Sequence, residues 1–219
     1  MTKHALIDLG VTLLDLATGG TIGQLDLVIN IPDGRIWDVN VQKWMLGQPK
    51  LAAVVDIVSK EKGYTYQAAM KIFKDFLLSH YAALNGDVVI GGDHIGEDAP
   101  WINTYLSMCD YEPLHMIFGE LKHPIDIHSY HQGSSRKTHK QVREFSNNGK
   151  KFCANIAAFK QFNIKDWSHT GYTHSAVDDS LCIALGHCKV LKSIEALEHA
   201  YVPAPWYNSN PALQSVYYR

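Results

Sequence analysis

The 219-residue chain lacks any apolar run long enough to cross a membrane. No secretory leader is expected, since Asp8 and Asp15 interrupt the apolar stretch that follows Met1-Thr-Lys-His. Its four cysteines, Cys109, Cys153, Cys182 and Cys188, have no paired short spacing. They suit buried free thiols in a reducing compartment, so the expected location is cytoplasmic. The formal charge of −2 gives no general attraction to nucleic acid. Twelve histidines are present but scattered, and His123, His128, His131 and His139 read as surface or groove residues rather than zinc ligands. No internal repeat is found.

An apolar fraction of 46% excludes general disorder and supports a sizeable core. One domain is expected over residues 1–202. A tail at 203–219, rich in Tyr, Trp and Pro, follows as a packed arm or an interaction segment, because Pro203, Pro205 and Pro211 oppose further regular structure.

A coarse reading places strands near Ala5–Asp15 and Thr21–Ile31, where Leu25-Asp-Leu-Val-Ile-Asn30 alternates. Helices follow near Val41–Lys60, divided in two at Pro49, and near Thr65–Leu84. Their apolar stripes are Leu51, Val54, Val55, Val58 and Ala69, Ile72, Phe73, Phe76, Leu77. A strand at Asp87–Gly91, a helix from Asp98 to Cys109, a short strand near His115–Phe118 and a turn of helix from Asp126 come next. A long helix is expected from His174 to about His199, burying Val177, Leu181, Leu185, Cys188 and Leu191.

Two segments carry candidate chemistry. His174-Ser-Ala-Val-Asp-Asp179 puts an imidazole and a carboxylate about a turn and a half apart at the head of that last helix. The carboxylate could hold a cation while the imidazole reaches a water beside it. An ordinary helix start, with Asp178 and Asp179 complementing the dipole, would read the same way. In Gly86-Asp-Val-Val-Ile-Gly-Gly-Asp-His-Ile-Gly-Glu-Asp98, a β-branched run ends in glycines and leads into an acid and an amphipathic helix, so the carboxylate sits where a strand hands over to a helix.

Together these segments resemble the second and third motifs of the DnaQ-like 3′→5′ exonucleases, in the phage-type branch with a histidine in its third motif (DEDDh). The resemblance extends to Ala5-Leu-Ile-Asp-Leu-Gly-Val-Thr-Leu-Leu-Asp-Leu-Ala-Thr-Gly, which is similar to the family's second strand and hairpin. Val41-Gln-Lys-Trp-Met-Leu-Gly-Gln-Pro-Lys-Leu-Ala-Ala is similar to its helix pair, and His123-Pro-Ile-Asp126 occupies the place of its Asp-x-Arg-Thr segment. It implies an α/β, RNase H-like fold, a mixed sheet flanked by helices. It also implies Mg2+ or Mn2+ as cofactor and 3′ ends of single-stranded DNA or RNA as partners. Asp98 and Asp179 would be the metal carboxylates and His174 the group that takes a proton from the nucleophilic water.

The family's first motif, an Asp-x-Glu pair, lies about fifteen residues before the strand that aligns with Ala5. On that alignment the first strand is expected to be missing. A second alignment makes Ile7-Asp8-Leu9-Gly10-Val11-Thr12 the first motif, with Asp8 a metal ligand and glycine in the glutamate position. The glutamate is absent either way, and two carboxylates make a weak site for a hard cation. Two alternatives follow: an inactive relative that binds nucleic acid or a partner protein, and an assembly module whose exposed first-strand position accepts a strand from a partner protein or from a second copy of the chain. Gln132 to Phe152 carries Arg136, Lys137, Lys140, Arg143, Lys150 and Lys151 against Glu144 alone. The resemblance places it near the nucleic-acid groove, so Arg136, Lys137, Lys140 and Arg143 are candidate phosphate contacts; a solvated loop is the plain alternative.

Overall fold

A computed structural model describes residues 4–15, 20–86, 88–92, 94–127, 129, 175–177, 179–181 and 183–184. The chain divides into two compact units, Met1–Leu9 with Leu27–Tyr130 and Gly10–Asp26 with His131–Arg219.

A hairpin of β1 (Asp8–Leu14) and β2 (Thr21–Val28) opens the chain. Along β2 the apolar positions Leu25 and Leu27 are buried while Asp26 between them is exposed, the period-2 pattern of a strand with one covered face. Asp15 N–H donates to the Gly20 carbonyl at 2.9 Å where the hairpin turns.

In the first unit, Asp38 starts α1 (Val39–Leu46) by accepting from Asn40 N–H at 2.8 Å and Val41 N–H at 3.2 Å. These are donors that the first turn of a helix cannot satisfy internally. Pro49 stands at the first position of α2 (Pro49–Ser59), where its missing N–H costs nothing. The two helices pack on each other. Leu51, Val54, Val55 and Val58 form a core with Ile7 and Met45, edged by Ala5, Val28, Ile31 and Trp37.

Thr65 caps α3 (Tyr66–Ala83) through a bond to Ala68 N–H at 3.3 Å. Of its expected stripe Ala69, Phe73, Phe76 and Leu77 are buried and Ile72 is half-buried. Asn30 ties the link before this helix: its Nδ2 donates to the Gly63 carbonyl at 2.8 Å and its Oδ1 accepts from Gly63 N–H at 2.9 Å. Helix α3 packs on α4 (Ile95–Ser107), whose Tyr105 is buried and accepts from Leu6 N–H at 2.9 Å.

Three local expectations are corrected. The expected strand at 87–91 is reduced, among the described residues, to β3 (Gly91–Gly92), parallel to β4 (Ile125–Asp126). A ladder needs a partner, and β4 supplies two residues, with Ile125 N–H also donating to the Ile90 carbonyl at 2.8 Å. The expected strand at 115–118 is instead a 3-10 turn, Leu114–Met116, entered from Pro113. Its apolar residues Leu114, Ile117 and Phe118 are all buried at offsets of three and four, a helical rather than a strand period. Helix α4 begins at Ile95 and not at Asp98, because His94 takes up a left-handed conformation (φ 58°, ψ 45°) that turns the chain at once. A turn of helix does follow Asp126, which accepts from Ser129 N–H at 2.9 Å.

In the second unit, the described residues among 176–184 are helical. Leu181 is buried, while Val177, expected in the core, is half-buried. The remainder of the expected last helix lies outside the described residues. No described helix is long and apolar enough to cross a membrane.

Candidate functional site

Asp98 lies in the first unit, in the first turn of α4 beside Glu97, and is exposed. The approach is short: Gly92 ends β3, His94 makes the left-handed turn, and Glu97 N–H donates to the His94 carbonyl at 2.7 Å. A side chain at Gly92 would press on the Ile95 side chain, with its Cδ1 at 2.8 Å. Two acids in a first turn also complement the helix dipole, so the placement by itself does not require a ligand.

Asp179 lies in the second unit and is half-buried. Its N–H donates to the Ser175 carbonyl at 2.9 Å, an ordinary helical bond. Strand β1 lies directly on this turn. A Cβ built at Gly10 would stand 2.0 Å from the Ala176 carbonyl carbon and 2.1 Å from Val177 N. Two residues on, Thr12 Oγ1 is 2.8 Å from Ser180 Oγ. Gly10 and Thr12 share a face of β1 about 7 Å apart, and Ala176 and Ser180 lie one helical turn apart, about 6 Å, so strand and helix keep pace along this contact.

Asp8 is the first residue of β1 and belongs to the first unit. Asp8 Oδ1 and Asp179 Oδ1 are shielded from solvent and accept no hydrogen bond, although both residues make other interactions. Among the described residues no group of three or more His, Cys, Asp or Glu could hold a metal ion. His174 and the basic candidates Arg136, Lys137, Lys140 and Arg143 lie outside the described residues.

Sequence reasoning did not single out Gln24, Thr12 and Ser180, which bond one another in the second unit. The signal available was the two-residue spacing of Gly10 and Thr12 on a strand that leads from Asp8. No family model, no curated protein and no solved structure matches the chain.

Proposed function

We propose that this chain is a nuclease-like protein of the DnaQ-like 3′→5′ exonuclease type, with an RNase H-like fold, that acts on 3′ ends of single-stranded DNA or RNA with a depleted carboxylate set. The observation that carries the reading is the setting of its two aspartates. Asp98 stands in the first turn of a helix entered directly from a strand, and Asp179 in a helical turn packed against β1. By resemblance Asp98 and Asp179 are the carboxylates, joined by Asp8 under the second alignment, and Mg2+ or Mn2+ is the cofactor. His174 would take the proton from an attacking water, and Arg136, Lys137, Lys140 and Arg143 would contact phosphates.

One observation favours a second reading, a non-cutting relative that holds nucleic acid or a partner protein. Under the second alignment the missing glutamate falls at Gly10, where backbone atoms of Ala176 and Val177 fill the space a side chain would need. Digestion of 3′-labelled single strands in Mn2+, Mg2+ or chelator, with anisotropy binding over a salt series, separates the readings. The first expects slow metal-dependent shortening from the 3′ end, lost in Asp179→Asn and His174→Ala. The second expects binding without shortening, weakening with salt and with replacement of the four basic residues. Neither shortening nor binding in any condition would refute the nucleic-acid assignment and leave a protein-interaction role or self-association.

A further inference from the structure

Ser180 Oγ donates to the Val177 carbonyl at 2.8 Å. Its single proton is thereby committed, so in the 2.8 Å contact with Thr12 it is the threonine that donates. Thr12 Oγ1 can then only accept from its other neighbour, and Gln24 Nε2 donates to it at 3.2 Å. The bonds form a directed chain from Gln24 on β2 through Thr12 on β1 to Ser180 and back into the helix backbone at Val177. Every link is part-buried, and the chain reaches the helix one residue beyond Asp179.

We infer that Thr12 and Gln24 are positioning residues, setting the rotation of the helical turn that carries Asp179 about its own axis. The inference rests on the reading of Asp179 as a site carboxylate. Side-chain tips stand about 5–6 Å from a helix axis, so a rotation of roughly 10° moves one by about 1 Å. A misplacement of that size can cost a reacting group about 100-fold. Gly10 fixes how closely the helix approaches β1, but a glycine carries no group that could resist rotation. Thr12 supplies that group.

The test uses the full chain with Thr12→Val, which keeps the shape and removes the hydroxyl, and Thr12→Ser, which restores it. Ser180→Ala, which removes the acceptor, carries the same expectation should Thr12→Val fold poorly. Amide exchange at Asp179 is read against amides of α3, and Mn2+ affinity is read against Asp179→Asn. Expected are about five-fold faster exchange at Asp179 in Thr12→Val with α3 unchanged, a several-fold weaker Mn2+ affinity, and recovery of both in Thr12→Ser. Unchanged exchange at Asp179 in both Thr12→Val and Ser180→Ala would overturn the inference. Faster exchange with Mn2+ affinity unmoved would reduce the chain of bonds to a structural role and overturn it equally. Wild type and Asp179→Asn binding Mn2+ alike would instead refute the reading of Asp179, a result distinguishable because the exchange readout does not depend on it.

Discussion

Replacing Gly10 with alanine adds one methyl group, and the structure says where it goes. Its carbon would stand 2.0 Å from the Ala176 carbonyl carbon, 2.1 Å from Val177 N and 2.2 Å from the Ala176 carbonyl oxygen. Carbon atoms rest about 3.5 Å apart, so the helix would have to retreat by roughly 1.5 Å. No rotamer relieves the clash, because all three atoms are backbone. The retreat would stretch the Thr12–Ser180 contact beyond bonding distance. Overpacking costs about 1–3 kcal/mol where side chains can adjust, and a rigid backbone puts Gly10→Ala at about 3 kcal/mol or more. The unfolded-state gain from replacing glycine, about 0.4–1 kcal/mol, does not offset it. For a chain of this size that is a fall of about 6–12 °C in Tm, read by calorimetry or by urea titration. Gly96→Ala is the control: nothing lies within 4 Å of its added carbon, and in a helix it should be neutral or stabilising by up to about 1 kcal/mol. Gly10→Ala within about 0.5 kcal/mol of wild type would refute the close packing of β1 on this turn. The same geometry predicts that Gly10→Glu, which would write an Asp-x-Glu pair at residues 8–10, unfolds the second unit rather than raising any nuclease activity.

Asp38→Ala should lower Tm and Asp38→Ser should largely retain it, because only the latter still offers an oxygen to Val41 and Asn40 N–H. The bonds from Val41 and then Asn40 hold the Asp38 carboxyl below its ordinary value. Its contribution is therefore present above the usual carboxylate pKa and lost as pH falls through the lowered one, and Asp38→Ala should flatten that part of an acid titration of stability. Asn30→Asp should cost about 2 kcal/mol in urea titrations near neutral pH, since an oxygen would replace the Nδ2 donor facing the Gly63 and Glu61 carbonyls; acidification should recover part of it as the carboxyl protonates and can donate again. In the digestion assay, shortening by the unmodified chain should be far slower than by a nuclease with a full carboxylate set, and Mn2+ should support it at least as well as Mg2+. Rapid shortening in Mg2+ would contradict the depleted-site reading.

Much of the local structure was legible because its causes are short-range. Pro49 divides the first helical stretch and opens α2, and the stripes of α2 and α3 repeat at the helical period, so neither needed knowledge of the fold; the Asp38 and Thr65 caps, though equally short-range, emerge only with the structure. The second strand of the opening hairpin was equally readable from the alternation of Leu25–Asn30. The run Val88–Ile90 has strand-like composition but pairing depends on a distant partner, and only Gly91–Gly92 finds one in Ile125–Asp126. The 114–118 segment is apolar enough for either period, and burial of Leu114, Ile117 and Phe118 together decided it. For the candidate site, residue type and spacing in the sequence drew attention to Asp98, Asp179 and His174, and only the family resemblance gave them roles. Only tertiary structure decided that Gly10 has no room for a side chain and that Thr12 reaches Ser180, since both facts belong to residues more than 160 positions apart in the chain that meet when strand and helix pack.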